Sequence, residues 1–176
     1  MAVILTGFKG CGKSVTGKRL AELMDQPFVD LDERIERVYE ENEKEKRTFR
    51  EIYRKVGPER FRELERQVLG GMQTHSDQVI SVGGGTVMDF QSRGLLQKMG
   101  RIVLILVEPE VLISRILADG MPAIFDAENP RASFDALYAE RMPVYKQVAD
   151  LQVETTGLDV EQSAQKIYEA LRKDEG

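Results

Sequence analysis

The sequence predicts an α/β domain in three layers, with a parallel sheet of about five strands between helices on both faces. Short apolar runs alternate along the 176 residues with longer segments of helical periodicity. Runs that are apolar at consecutive positions are typical of strands buried on both faces of a parallel sheet. The composition, with 31% charged and 41% hydrophobic residues, fits a single globular domain over 1–176.

The first strand and the first helix flank a glycine-rich loop. Ala2–Thr6 is apolar and predicts a buried strand, and Lys13–Met24 has a helical spacing of apolar residues. Between them, Gly7–Ser14 matches the phosphate-binding pattern G-x-x-x-x-G-K-[ST]. Its glycines allow the backbone to curl so that consecutive N–H groups converge on a phosphate group. The N-terminus of the following helix adds further unpaired N–H donors. A glycine turn that binds nothing is the alternative, but the strand–loop–helix context favours phosphate binding.

The remaining elements continue the alternation. Further strands are predicted at 27–29, 78–82, 101–107 and 151–154, and helices at 33–45, 48–55, 58–74, 90–99, 109–118, 133–149 and 159–173. Gly57 and Pro58 separate two of these helices, and Ser133 is the expected cap of another. The segment 119–132 has no periodicity and contains two prolines, which predicts a long loop of the kind that often serves as a lid.

Three polar or glycine-rich segments follow predicted strands, at the edge of the sheet where ligands bind in this class of fold. These are the phosphate loop, Asp30-Leu31-Asp32 and Gly83-Gly84-Gly85. In extended chain Asp30 and Asp32 would point to the same side, one behind Mg²⁺ and one towards an acceptor hydroxyl, although a helix N-cap is an ordinary alternative. The three glycines allow close approach by a ligand, with a simple tight turn as the alternative.

Composition excludes several other classes of function. The net charge of −5, without a basic stripe, argues against nucleic-acid binding. The only cysteine, Cys11, lies in the phosphate loop, which suits a reducing compartment. Apolar runs are far shorter than the ~18 residues of a membrane span, and the chain starts directly in a strand, without a secretion signal. We therefore expect a cytoplasmic location. The expected partner is a small-molecule substrate, and we expect the chain to be a monomer.

Five motifs in this order resemble the shikimate kinase family over nearly the whole chain. They are Gly7–Ser14, Asp30-Leu31-Asp32, Phe61-Arg62-Glu63-Leu64-Glu65, Gly83-Gly84-Gly85 and Arg141-Met142-Pro143-Val144-Tyr145. Taken alone, Arg62 and Glu65 could be a simple surface pair on a helix. The resemblance implies a P-loop NTPase fold of the nucleoside monophosphate kinase type, with sheet order 2-3-1-4-5. It also implies transfer of the γ-phosphoryl group of ATP to the 3-hydroxyl of shikimate.

The resemblance also implies roles for individual residues. The nucleotide would contact Gly10, Cys11, Gly12, Lys13, Ser14, Val15 and Arg115. Shikimate would contact Asp32, Arg62, Gly83, Gly84, Gly85 and Arg141, with the arginines on its carboxylate. Lys13 and Asp32 would be the catalytic residues, Asp32 as the base. Mg²⁺ would be held by Ser14 with Asp30 behind it, and Glu65 would orient Arg62.

The lid departs from the pattern of the family. The Arg-Pro-Leu-Leu stretch of the family is Met121-Pro122-Ala123-Ile124 in this sequence, so the basic residue is missing. A cation on the transferred phosphoryl group can change the rate by orders of magnitude. Arg115 or Arg131 could replace it, or the enzyme could be slow. The protein could also act on another hydroxy acid such as gluconate, or bind nucleotide without transferring phosphate.

Overall fold

The computed structural model describes residues 1–72, 76–122 and 124–174. Its strands are β1 (Ala2–Thr6), β2 (Phe28–Asp30), β3 (Val79–Ser81), β4 (Gly100–Leu106) and β5 (Leu151–Glu154). They form one sheet in the order β2-β3-β1-β4-β5, and every neighbouring pair is parallel. The predicted fold class and strand order are therefore confirmed.

Helices cover both faces of this sheet. Within the described ranges they are α1 (Lys13–Met24), α2 (Leu31–Glu43), α3 (Phe49–Gly70), α4 (Phe90–Met99), α5 (Pro109–Ala118), α6 (Pro130–Val148) and α7 (Val160–Asp174). Ile4 and Leu5 of the central strand are both fully buried. Because consecutive residues of a strand point to opposite faces, their burial shows that both faces are covered. None of the helices in the described ranges is long and apolar enough to span a membrane.

Two predicted helix starts are wrong by a few residues. Helix α2 begins at Leu31 rather than 33, because the side chain of Asp30 caps it by accepting from the Asp32 N–H group. Helix α6 begins at Pro130 rather than after Ser133, since Asn129 is its N-cap and proline is favourable at the first helical position. The predicted lid accordingly spans 119–129, between α5 and α6, and its described residues lie in neither a helix nor a strand.

The predicted break in α3 is present, and its C-terminal end comes earlier than predicted. Thr48 and Glu51 form a capping box at the start of α3, and Gly57 interrupts the helix with φ 81° and ψ 168°. The helix is therefore two helical pieces that meet at Gly57, as the sequence predicts. The helix ends at Gly70, with Gly71 as its C-cap, rather than at about Thr74, since consecutive glycines are poor helix formers. Thr74 itself and Ala123 of the predicted lid lie outside the described residues.

Parallel pairing brings the functional segments to one edge. Ile4 of β1 pairs with Ile80 of β3, and Val29 of β2 also pairs with Ile80. The three strands run in the same direction, so their carboxyl ends meet at the same edge of the sheet. The phosphate loop, the acidic segment that starts at Asp30 and the glycines after β3 all begin there.

Candidate active site

The loop after β1 presents main-chain N–H groups that have no acceptor in the described part of the chain. A turn closes it, in which the Cys11 N–H group donates to the Phe8 carbonyl oxygen over 3.3 Å. Gly10 (φ 85°) and Gly12 (φ 89°) adopt left-handed conformations that favour glycine. Among the described residues, the N–H groups of Gly10, Gly12, Lys13 and Ser14 donate to no acceptor. Because free donors at a helix N-terminus attract anions, this loop can bind phosphate groups.

The ammonium group of Lys13 lies within this loop. Its Nζ atom donates to the carbonyl oxygens of Gly7 (2.9 Å) and Phe8 (3.1 Å), and it lies 3.7 Å from the buried Cys11 Sγ. The Phe8 ring packs against the rings of Phe134 (centroids 5.3 Å apart) and Tyr138, which anchors the loop on α6. A full positive charge is thus held among the free N–H groups.

The Asp30 carboxylate accepts two hydrogen bonds, one with each oxygen atom. Its Oδ2 atom accepts from the Ser14 hydroxyl over 2.6 Å, while its Oδ1 atom accepts from the Asp32 N–H group over 3.0 Å. The capping interpretation of Asp30 and the predicted pairing with Ser14 are therefore compatible. Asp32 is in the first turn of α2, so the predicted extended arrangement of the two carboxylates is wrong.

The surroundings of Ser14 suit a hard cation. The Ser14 hydroxyl lies 2.6 Å from Asp30 and 3.4 Å from the Ser81 hydroxyl, so three side-chain oxygens meet here. Mg²⁺ prefers oxygen ligands, and proteins usually hold it by one or two carboxylates together with water and substrate phosphates. Within the described ranges no group of three or more His, Cys, Asp or Glu residues forms a cation site. The donor set at Ser14 therefore fits Mg²⁺ bound jointly with a nucleotide.

Asp32 has the properties of a general base. Burial and the nearby carboxylates of Asp30 and Glu65 raise its pKa to about 7, although Lys13 acts in the opposite direction. A Cβ atom on Gly83 would lie 3.3 Å from its Oδ1 atom, so this carboxylate faces the glycine segment. A base whose pKa lies near neutral pH is well matched to accepting a proton from a hydroxyl group.

The three glycines provide space for guanidinium groups. A Cβ atom on Gly84 would lie 3.5 Å from Arg141 Nη1, and one on Gly85 would overlap the Arg62 guanidinium group. None of the three glycines has a positive φ, so the absence of a side chain, rather than an unusual conformation, is what this segment requires. Arg62 and Arg141 therefore approach two consecutive residues of one glycine segment. A pair of guanidinium groups forms a site for a carboxylate.

Arg62 is held in place by a buried acid. Its Nη1 atom donates to Glu65 Oε2, and Thr86 donates to Glu65 Oε1 over 2.8 Å. Glu65 is only 1% exposed, so this is no ordinary surface pair. A carboxylate buried to this degree needs its partners, and the contacts therefore fix the guanidinium group of Arg62 next to Gly85.

Arg141 has spare hydrogen-bonding capacity. Its Nε atom is buried, and no hydrogen-bond acceptor for it lies in the part of the chain that the structure describes. The neighbouring Tyr145 hydroxyl donates to the Gly84 carbonyl oxygen, and burial raises the pKa of Tyr145 to about 12, so it stays a neutral donor. Buried donors are normally satisfied, so the Arg141 Nε atom has unused hydrogen-bonding capacity.

The other predicted nucleotide contacts lie around the loop. Val15 is exposed in the first turn of α1, and Arg115 of α5 donates from Nη1 to the Gly10 carbonyl oxygen over 3.2 Å. Arg131 is exposed and forms ion pairs with Glu110 and Asp135. Of the two arginines considered as replacements for a lid cation, only Arg115 contacts the loop.

Sequence reasoning missed three polar contacts in this site. They are made by Ser81, which approaches Ser14, by Thr86, which binds Glu65, and by Tyr145, which binds Gly84. Ser81 is a polar residue at the end of an apolar strand, and this was the one signal in the sequence. The contact of Thr86 depends on the packing of α3 and left no local pattern. Tyr145 belongs to the 141–145 motif, but its hydrogen bond to Gly84 depends on the packing of α6.

Comparisons with known proteins agree with this geometry. The family model for shikimate kinase matches residues 9–172. The shikimate kinase of Cereibacter sphaeroides is 37% identical over 169 residues, which are 96% of this chain and 81% of that protein. The shikimate kinase of Thermus thermophilus is 35% identical over 170 residues, with 96% and 89% covered.

A solved structure is similar over almost all of the chain. Shikimate kinase from Acinetobacter baumannii in complex with shikimate aligns with a TM-score of 0.87 and 29% identity, covering 98% of this chain and 93% of that one. The family model, the relatives above 30% identity and the shared fold agree with one another. The chain belongs to the shikimate kinase family.

Proposed function

We propose that the protein transfers the γ-phosphoryl group of ATP to the 3-hydroxyl of shikimate. The observation that carries this proposal is the meeting of Arg62, Arg141 and Asp32 on one glycine segment beside the phosphate loop. The arginines match a carboxylate, and Asp32 matches a hydroxyl group. Shikimate has both groups, and the relatives named above are kinases for it.

The chemical step follows from these positions. The 3-hydroxyl oxygen attacks the γ-phosphorus, a new O–P bond forms, and the bond from phosphorus to the oxygen shared with ADP breaks with its electron pair on ADP. The hydroxyl proton passes to the Asp32 carboxylate. Lys13 and the free N–H groups of the loop bind the phosphate oxygens on which charge accumulates. Glu65 keeps Arg62 in place, so that the acceptor carboxylate is held at a fixed distance from the loop.

Ser14 and Asp30 are the residues proposed to hold Mg²⁺ when a nucleotide is bound. The ion would neutralise part of the phosphate charge. Asp30 also caps α2, so the same side chain links the cation site to the position of Asp32. We propose further that segment 119–129 closes over the bound substrates and excludes water, which would otherwise compete with the acceptor.

The raised pKa of Asp32 predicts an unusual dependence of activity on pH. Below its pKa of about 7 the carboxylate is protonated and cannot accept the hydroxyl proton. We therefore expect kcat/KM for shikimate to fall as the pH drops from about 7 towards 6, whereas an ordinary carboxylate would titrate near pH ~4. This pH dependence is measured from steady-state rates at varied shikimate and saturating ATP and Mg²⁺ across the range. A flat profile down to about pH 5 would show that Asp32 is not the base.

Arg141→Ala is expected to weaken shikimate binding with a smaller effect on kcat. A hydrogen bond to a charged group is worth about 1.5–3 kcal/mol, so KM for shikimate should rise roughly 10- to 100-fold. The methyl ester of shikimate provides a matched test, because it lacks the negative charge. In the wild type the ester should bind much more weakly than shikimate, and in Arg141→Ala this difference should shrink. If the ester bound more weakly than shikimate by the same factor in both proteins, Arg141 would not bind the carboxylate.

A panel of acceptors tests the proposed function itself. ADP release is followed in a coupled assay with ATP, Mg²⁺ and shikimate, gluconate or no acceptor. We expect turnover with shikimate far above the rate without acceptor. Turnover of gluconate alone would favour the related sugar-acid kinase, and nucleotide binding without any turnover would favour a protein that does not transfer phosphate. The family membership makes both of these alternatives less favourable.

A further inference from the structure

The lid of this protein cannot supply a cation to the phosphoryl group. Residues 119–129 contain no lysine or arginine, and they contain three acids, Asp119, Asp126 and Glu128. A phosphoryl group in transfer carries charge on three oxygens, and cations beyond the loop lysine commonly stabilise it. In this protein such a cation has to come from another element.

The arginines that flank the lid are already engaged. Arg131 pairs with Glu110 and Asp135 at the surface. Arg115 donates to the Gly10 carbonyl oxygen from α5, on the side of the loop where α5 packs against Gly10. Neither arginine makes a hydrogen bond or ion pair with a described residue of α3, the helix that carries the acceptor arginine Arg62.

Lys9 is a cation of the phosphate loop itself that lies within electrostatic range of α3. It is the second residue of the turn from Phe8 to Cys11, so its side chain projects from the tip of the phosphate loop. Its ammonium group interacts electrostatically with Arg50, in the first turn of α3, and with Asp119, the first residue of the lid. Lys9 thus belongs to the nucleotide loop and lies within electrostatic range of both the acceptor helix and the base of the lid.

The ammonium group of Lys9 has no fixed partner there. Across 1–72, 76–122 and 124–174 it makes no hydrogen bond or ion pair, although the side chain is half-buried. Burial and the positive charge of Arg50 lower the pKa of Lys9, and Asp119 only partly offsets them. Arg50 contacts the Phe49 ring and likewise has no ion pair among the described residues. Two neighbouring cations without a carboxylate in contact attract an anion.

We propose that Lys9 is the second cation of the transfer reaction, and that its ammonium group binds the phosphoryl oxygens while the group passes from ATP to the acceptor. This inference rests on the proposed function and adds a residue to the same site. Lys13 would bind the β- and γ-phosphates from within the loop, and Lys9 would bind the moving group from the acceptor side. Asp119, at the base of the lid, favours the charged form of this ammonium group.

Lys9→Met and Lys9→Arg test this role, with Lys98→Met as the matched control. Lys98 is exposed in the last turn of α4, away from the site. For Lys9→Met we expect kcat to fall about 10²-fold, the size of effect seen when one donor to a transition-state charge is removed. KM for ATP and for shikimate should change by less than about threefold, because the contact forms fully only during transfer. Lys9→Arg should keep most of the activity, and Lys98→Met all of it.

A binding measurement separates this role from a structural one. ADP and aluminium fluoride form an analogue of the phosphoryl group in transfer, and wild-type protein should bind ADP more tightly when the fluoride is added. Lys9→Met should bind ADP alone as the wild type does but lose this enhancement, and its thermal unfolding should be unchanged. The proposal would be overturned if fluoride enhanced ADP binding equally in both proteins, or if it gave no enhancement in the wild type. It would also be overturned if the kcat of Lys9→Met stayed within about twofold of the wild-type value.

The experiments distinguish a failure of the proposed function from a failure of the role of Lys9. Wild-type protein that does not phosphorylate shikimate contradicts the proposed acceptor, whatever Lys9 does. The fluoride measurement, run without shikimate, then still decides whether Lys9 binds the phosphoryl group. If the wild type phosphorylates shikimate and Lys9→Met does so with the same kcat, only the role of Lys9 is contradicted.

Discussion

Lys13→Met should abolish transfer while the fold remains. The ammonium group of Lys13 lies among the free N–H groups of the loop, and methionine keeps the length of the side chain but not its charge. Loss of a cation on the transferred phosphoryl group is expected to lower kcat by about 10³-fold or more. The coupled assay measures this effect, and circular dichroism on heating measures stability.

Lys98→Met is the matched control for this variant as well. It removes the same charge from an exposed position, so its kcat should equal that of the wild type. The buried strand before the loop and the packing of Phe8 on α6 do not depend on Lys13, so the unfolding temperature should be little changed. Lys13→Met that retains more than about a tenth of the wild-type kcat would contradict the assignment of the loop as the phosphate site.

Asp32→Asn should be the second most damaging substitution. Asparagine has the shape of aspartate but cannot take up the hydroxyl proton, and removing a general base typically lowers the rate by about 10²- to 10⁴-fold. KM for shikimate should change less than kcat, since the amide of the introduced asparagine can still hydrogen-bond the hydroxyl group. A variant with near wild-type kcat would show that the proton leaves by another route.

The same substitution should change stability in a direction that depends on pH. The folded-state pKa of Asp32 is about 7, above the unfolded value of about 3.9, so the native carboxyl group holds its proton more tightly. The wild type therefore loses stability as the pH rises from about 4 to about 7, and the neutral asparagine does not. Urea unfolding at both ends of this window should show Asp32→Asn gaining stability relative to the wild type at the higher pH.

The main features of the fold could be predicted from local patterns and from the resemblance. The motif Gly7–Ser14 predicted both β1 and α1, because a phosphate-binding loop needs a buried strand before it and a helix N-terminus after it. The apolar run of β4 identified a strand buried on both faces. The strand order came from the resemblance, since pairing between distant strands leaves no local signal.

The errors arose where two local preferences compete. Both Asn129 and Ser133 are good helix caps, and only the packed structure shows that Asn129 with Pro130 starts α6. The chain after β2 could continue as extended or turn at once into a helix, and the double role of Asp30 selects the helix. Whether the Glu65 carboxylate is buried cannot be read from a helical spacing, because burial depends on which elements pack against that face.

The central claim is that the paired arginines place an acid so that its 3-hydroxyl faces the phosphate loop. The most direct test is to incubate the purified protein with ATP, Mg²⁺ and shikimate and to assign the product by phosphorus and proton NMR. We expect one new phosphate ester, with the phosphorus coupled to the proton on carbon 3. A phosphate on another hydroxyl group, or no ester in a protein that binds ATP, would contradict the geometry proposed for Arg62, Arg141 and Asp32.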